Sequence, residues 1–238
     1  MYAHLKDLPA VLLLMGGVGY SISRKKLTPL AALTGLFCGV VLYIRVGYTG
    51  LYLLTGFFIL GTIATSWGKK VKLQLKPADD RLPRKPGQVL ANAGGAVLFA
   101  LLMPVFPLHT IVLQLMLTAS VASATADTLS SELGMHYGKN FYNCLTWKKE
   151  ECGLDGVISL EGTLIGIVGA AMIAAIYVIA ANASYRMLLL IVIAGASGNF
   201  IDSVFGASLE RRKLLNNDGV NFCSTLFAAG VALLLAII

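Results

Sequence analysis

Charge is the first thing this chain lacks. Asp, Glu, Lys and Arg together make up 13% of its 238 residues, about half the share usual in a soluble globular domain, and the mean hydropathy is +0.77. That deficit excludes a water-soluble fold and puts the chain in a bilayer. Cysteine is also scarce: Cys38 and Cys223 fall inside apolar runs, and Cys144 and Cys152 lack metal-type spacing. Neither a disulfide framework nor a zinc site is expected. Histidine occurs only as the isolated His4, His109 and His136. No GxxxxGK[ST] phosphate loop is present, and "GGVGYS" at 16–21 lies within an apolar run, which excludes a dinucleotide fingerprint there. The first apolar run is preceded by a short segment containing Asp7 and followed by the basic "RKK" at 24–26. That order is wrong for a cleavable signal, so the first helix is expected to stay.

What the chain has in quantity is apolar sequence. A helix needs roughly 17–25 such residues to cross the hydrocarbon core. Runs near 8–22, 29–45, 50–66, 88–106, 109–126, 157–181, 187–205 and 220–238 approach or meet that length, the first being short and glycine-containing. They predict an all-α polytopic bundle of about eight transmembrane helices forming a single domain over 1–238, with "YIRVGYTG" at 43–50 as a tight interfacial turn. Nearly all Lys and Arg fall in the alternate loops 24–26, 67–87, 127–156 and 211–213; Lys6, Arg45 and Arg186 are the exceptions. The positive-inside rule then puts those loops in the cytoplasm and both termini outside. A net charge of +7 therefore reads as topology and lipid attraction, not as nucleic-acid binding. The membrane is expected to be the plasma membrane of a prokaryote or an organelle membrane.

The acidic residues carry the functional signal, because they contribute little to topology. Every one except Asp7 lies in or beside the same loops. A transport path scatters polar groups through the membrane depth, whereas acids gathered at one face fit a surface site for a cytosolic solute. Four segments supply it. In "RKPGQVLAN" (84–92), Arg84 and Lys85 suit phosphate, and Gln88 and Asn92 share a helix face at i, i+4. In "ATADTLSSELG" (124–134), a continuing helix would put Asp127 and Ser131 on one face and Thr128 and Glu132 on the next. Oxygen ligands of this kind suit Mg²⁺ bridging to phosphate. The structural alternative there is a new helical turn capped by Thr128 or Ser131. In "ECGLDGVISLEGTLIGIVGA" (151–170), Gly153 and Gly156 flank Asp155 and permit close ligand approach, while Gly162, Gly166 and Gly169 permit close helix packing. In "SGNFIDSVFGASLERRKLLNNDGVN" (197–221), Asn199 and Asp202 end one helix, and Asn216, Asn217, Asp218 and Asn221 lead into the next. An aspartate inside a membrane helix is costly and marks function.

Those four motifs, in that order, resemble the integral-membrane family that includes plant phytyl-phosphate kinase and animal transmembrane protein nineteen. The resemblance runs from about residue 29 to the C-terminus. It implies a membrane enzyme that moves a phosphoryl group from a nucleoside triphosphate, CTP in plant members, to an isoprenoid monophosphate. The positions carried over are Gln88, Asn92, Asp127, Thr128, Ser131, Glu132, Asp155 within its glycine turn including Gly156, Asp202 with Gly206, and the Asn216–Asn221 cluster. Leu129 and Ser130 depart from the aromatic and small residues common in the family's acidic motif. The hypothesis assigns Asp127 and Glu132 as leading Mg²⁺ ligands, Asp155 and Asp202 as further ligands or orienting groups, and Arg84 and Lys85 as phosphate contacts. The competing class is a non-enzymatic isoprenoid-phosphate carrier or flippase. A structural subunit leaves the acid clustering unexplained, and the repeated-aspartate helix of CDP-alcohol transferases is missing.

Overall fold

The structure, a computed structural model, describes residues 6–67 and 82–238. The basic run from Lys69 to Lys76 and the acids Asp79 and Asp80 lie outside the described residues. Eight α-helices occur among the described residues: α1 (Leu8–Ser23), α2 (Pro29–Val46), α3 (Tyr48–Trp67), α4 (Pro86–Leu102), α5 (Thr110–Tyr137), α6 (Leu160–Ala181), α7 (Tyr185–Phe205) and α8 (Asn217–Ile237). Six are long and apolar enough to cross a membrane; α1 and α4 are shorter apolar helices. With 16 residues, α1 is about 24 Å long, less than the roughly 30 Å hydrocarbon core.

Local chemistry sets the breaks. Thr28 caps α2 by accepting from the Ala31 N–H, and Pro29 follows at the first helical position, where a missing N–H costs nothing. Between α2 and α3 a single residue, Gly47, leaves the helical path at φ +70°, as the "YIRVGYTG" turn requires. Ser159 caps α6 through the Gly162 N–H, and Asn216 caps α8 through the Gly219 N–H.

The main departure from expectation is α5. The apolar pattern predicts an end at 126, yet the helix continues to Tyr137. Thr128 donates its hydroxyl back to the Ala124 carbonyl at 2.8 Å, a mid-helix bond that removes the capping alternative. Asp127 through Glu132 therefore sit on helix, not on a new turn.

α5 is also the centre of the bundle, in contact with α3, α4, α6, α7 and α8. Its segment Leu117–Ala126 is buried throughout and, after Leu117, contains only Ala, Ser, Thr and one Val. In lipid, apolar side chains gain little by leaving the membrane, so small residues that let backbones approach supply the packing instead. The expected α6 glycines do this: a Cβ on Gly162 would lie 3.2 Å from the Gly134 Cα, and one on Gly166 3.1 Å from the Ala126 carbonyl. On α7, a Cβ at Gly195 would come within 2.9 Å of Ala122 and 3.0 Å of Ala170.

Gly195→Leu is accordingly expected to overpack the α5–α6–α7 junction by about 1–3 kcal/mol and lower the thermal midpoint in detergent. Gly35→Leu, where a Cβ meets nothing within 4 Å, should leave the midpoint unchanged. Equal midpoints for the two variants would remove the close-packing account.

Candidate functional site

At one end of the bundle the helices part around a cavity of about 1240 Å³. The ends of α1, α5 and α7 and the beginnings of α4, α6 and α8 meet there. It follows that α1 starts and α8 finishes away from the cavity, where Asp7 accepts from the Tyr43 hydroxyl at 2.5 Å.

One wall is acidic. On α5, Asp127 and Ser131 share a face, with Ser131 Oγ 3.5 Å from Asp127 Oδ1. Asp202 on α7 points to the same place, and its carboxylate interacts directly with Asp127 and, electrostatically, with Glu210. The Ser224 hydroxyl from α8 donates to Asp202 Oδ2 at 2.9 Å. Two neighbouring carboxylates repel unless a cation or proton lies between them. Glu132, only 8% exposed, lies near enough to Arg84 for its charge to act on the guanidinium.

A basic edge lines the same cavity. The Arg84 N–H donates to the Lys26 carbonyl at 3.0 Å, and the Arg84 carbonyl accepts from Thr28 N–H at 3.1 Å. Two remote segments, the α1–α2 turn and residues 82–85, are thereby stitched into one edge. The Arg84 guanidinium donates to Thr65 Oγ1 at 3.1 Å and lies over Gly61. Burial lowers its pKa, and the charge of Glu132 opposes that shift; an arginine in such a place stays charged. Lys85 is exposed at the rim.

Gln88 and Asn92 line the cavity on α4, partly committed to the helix. Gln88 Oε1 accepts from the Lys85 N–H at 2.9 Å, and the Asn92 amide donates to the Gln88 carbonyl at 2.8 Å. Asn92 Oδ1 is buried with no hydrogen-bond partner among the described residues. A buried amide oxygen in that state is costly, and a donor from a bound molecule would satisfy it.

The third side is the 138–159 loop. A short antiparallel pair, β1 (Tyr142–Asn143) with β2 (Val157–Ile158), holds the Gly153–Gly156 turn against the π-helical turn Gly206–Glu210. Gly153 and Gly156 have φ of +89° and +72°. A Cβ on Gly156 would collide with Ala207 at 2.3 Å, so glycine is required for both reasons. Asp155 lines the cavity, and its carbonyl accepts from Arg211 Nε at 2.8 Å. Arg211 also pairs with Glu150 at 2.6 Å, tying the loop to the end of α7.

Asn217, Asp218 and Asn221 line the cavity from α8, with Asp218 over Gly87. Asn216 does not line it; its side chain is the α8 cap. Thr128 lines it through a hydroxyl bonded to its own helix. Leu129 points away, against Gly169, so the departure from the family pattern at that position does not reach the cavity, while Ser130 does line it.

Among the described residues, no three of His, Cys, Asp and Glu converge closely enough to hold one ion. Of the four expected ligands, Asp127 and Asp202 come together, while Glu132 interacts with Arg84 and Asp155 is exposed in the cavity wall. The pair still fits Mg²⁺, which is held through one or two carboxylates and otherwise by substrate phosphates and water.

Sequence reasoning gave no site role to several lining residues: Lys26, Thr65, Ser66, Ser130 and Glu210. Asn199, singled out with Asp202 in the fourth segment, does line the cavity, three residues before Asp202 on one helix face. Its Oδ1 accepts from the Ser130 hydroxyl at 2.9 Å.

The chain belongs to the integral membrane family DUF92, which it matches over residues 11–229. It is 34% identical over 197 residues to an uncharacterized membrane protein of Methanocaldococcus jannaschii, covering 83% of this chain and 80% of that one. It is 29% identical over 213 residues to an uncharacterized membrane protein of Synechocystis, covering 88% and 83%. Identity to Protein VTE6, chloroplastic, of Arabidopsis thaliana is 28% over 210 residues, covering 83% of this chain and 61% of that protein. No solved structure matches it significantly.

The Arg211–Glu150 pair predicts a pH response. The hydrogen bond from Arg211 is the main cause holding Glu150 below the usual carboxylate value, opposed by burial and assisted by Asn143. A depressed folded-state pKa stabilises above the unfolded value of about 4.3, and that contribution is lost as pH falls through the depressed value. Hydrogen-exchange protection of residues 138–159 is expected to hold at pH 7 and fall below about pH 4. Glu150→Gln should show the reduced protection already at pH 7, with a weaker acid response.

Proposed function

We propose that this member of DUF92 is a nucleotide-dependent kinase that phosphorylates an isoprenoid monophosphate to the diphosphate, with CTP the favoured donor, at the cytoplasmic face of its membrane. The observation that carries the reading is the presence of a carboxylate pair and a cationic edge around one cavity at one end of an apolar bundle. Phosphoryl transfer asks for this: positioning and charge neutralisation, with little covalent chemistry. The substrate class is taken from the four-motif resemblance to the phytyl-phosphate kinase family.

In the reaction an oxygen of the lipid phosphate attacks the γ-phosphorus. The new P–O bond forms as the bond to the β-phosphate oxygen breaks, and the nucleoside diphosphate leaves with that electron pair. The attacking oxygen is already ionised near neutral pH, so no strong general base is needed. Mg²⁺, when bound, would neutralise charge on the β- and γ-oxygens, and Asp127 with Asp202 would hold it. Arg84 is suited to a forked grip on phosphate oxygens and Lys85 to a point contact at the rim. Asn92 offers its buried oxygen to a donor on the substrate or nucleotide, and Asp155 and Asp218 close the remaining sides. The isoprenoid tail, being apolar, stays in the membrane beside the helices.

The test is phosphate transfer by protein purified in detergent, with CTP, ATP, GTP or UTP and Mg²⁺ against phytyl, geranylgeranyl and farnesyl monophosphates. Wild type is expected to form a prenyl diphosphate. Asp127→Asn should lose about 10²-fold or more of kcat while keeping its thermal midpoint. Prenyl-phosphate binding without nucleotide consumption would overturn the kinase in favour of a carrier, and near-normal turnover by Asp127→Asn would remove Asp127 from the site.

A further inference from the structure

The "RKK" turn between α1 and α2 reads in sequence as a topology and lipid-headgroup signal. In the structure it does something more specific. Arg24, Lys25 and Lys26 all line the cavity, and the turn that presents them is tightly defined. Lys25 has a left-handed backbone, φ 52°, a conformation uncommon outside glycine and asparagine. The N–H groups of Lys26 and Leu27 both donate to the Ser21 carbonyl, at 2.8 and 3.3 Å. The turn is then fixed to the Leu82–Lys85 segment through the Arg84 backbone. Movement of this edge would break those bonds together.

Lys26 is the residue this frame aims. It is half-buried, and its Nζ donates to Ser66 Oγ on α3 at 2.8 Å. The Ser66 hydroxyl is oriented in turn by donating to the Thr62 carbonyl at 2.6 Å. Among the described residues no carboxylate lies within ion-pair distance of Lys26. An ammonium has three donors, and Ser66 accepts one of them. Both Lys26 and Ser66 line the cavity alongside Arg84 and Thr65, so the remaining donors open toward the space where the reading above puts phosphate. A partly desolvated cation without a neighbouring carboxylate is most strongly stabilised by an anion.

We propose that Lys26, positioned by Ser66 and by the stitch to Arg84, is a phosphate-contact residue, and that the α1–α2 turn forms half of the cavity's cationic edge. The inference rests on the cavity being a phosphate site. The oxyanion it meets belongs either to a soluble polyphosphate or to a lipid phosphate headgroup, and these share the same chemistry.

The experiment uses the full chain in detergent and in nanodiscs, as wild type, Lys26→Gln and Lys26→Arg. Thermal midpoints come first, since Lys26→Gln keeps a donor for Ser66 and should fold. Affinity is then measured for inorganic tripolyphosphate by calorimetry and for farnesyl monophosphate in nanodiscs. Lys26→Gln is expected to weaken at least one probe about 10-fold, while Lys26→Arg stays within about 3-fold of wild type. Loss confined to tripolyphosphate identifies the soluble source, and loss confined to farnesyl phosphate identifies the headgroup. Unchanged affinity for both probes in a folded Lys26→Gln would overturn the assignment, as would a wild type that binds neither. If wild type binds tripolyphosphate in a Lys26-dependent way yet transfers no phosphoryl group, the kinase reading fails and the phosphate contact stands.

Discussion

Close approach of helix backbones around α5 is the contact on which the cavity depends. Gly134 and Gly162 bring the ends of α5 and α6 together, and Gly195 and Gly198 bring α7 against Ala122 and Ser123. A Cβ alone would come within 2.9 Å of Ala122 at Gly195 and within 2.3 Å of Ser123 at Gly198, so no side chain fits at either position without displacing a neighbour. The consequence reaches beyond stability. With the backbones this close, the short side chains of Asp127 on α5 and Asp202 on α7 meet directly, as they would not across a wider interface filled by leucine. The same approach lets Ser130 bond Asn199, and Ser120 bond the Thr225 carbonyl at 3.0 Å, so the hydroxyls that keep the helix small also satisfy polar groups between helices.

Electrostatics then explains why the acids are tolerated. Every acid lining the cavity sits in the last turns of a helix, in the first turn of one, or in the loop and π-helical turn beside them. There the hydrocarbon gives way to the interface and the cost of charge falls. Asp218 lies in the first turn of α8, where the helix dipole favours a carboxylate. Arg84 and Lys26 line the same cavity as the Asp127–Asp202 pair, so the cavity offers cations for an anion and a carboxylate pair for a metal ion. A uniformly basic or uniformly acidic pocket would repel one of those two components.

Much of this was legible in the residues. Helix existence follows from apolar runs long enough to span, and the α6 glycines announced close packing by their spacing. The end of α5 was not legible from hydropathy, because helix formation there is sustained by packing of Leu129 and Gly134 against α6 while the exposed face turns polar. Hydropathy sees the polar face and stops. Asn216 and Gln88 look like ligands in sequence but spend their side-chain oxygens on helix starts, a use that competes with binding wherever Asn or Gln stands at a helix entrance. Lys26 was hidden for the opposite reason. Its neighbours in space, Ser66 and the Arg84 segment, are forty residues or more away in the chain, and no local pattern distinguishes a lysine aimed into a cavity from one facing lipid headgroups.

The depth of the cavity bears on what kind of protein this is. On α5 its lining begins at Asp127 and runs toward Tyr137. On the other side of Asp127 the helix is buried without interruption back to Leu117, and Leu113 and Leu115 are buried as well. They join Leu42, Leu53, Phe99, Ile173, Tyr177 and Ile191 in one core. From Leu113 to Asp127 is about 21 Å of helix, most of the thickness of a hydrocarbon core. A protein that passes a charged headgroup across the membrane needs polar groups to receive it along that length, and alternating access needs two bodies able to rock about a midplane site. Here the cavity is confined to one end, and farther along α5 the hydroxyls of Thr118, Ser120 and Thr125 are committed to backbone carbonyls. A site entered and left from the same face is the arrangement a phosphotransferase requires, because its nucleotide, its product diphosphate and the phosphate end of its lipid all belong to one aqueous compartment.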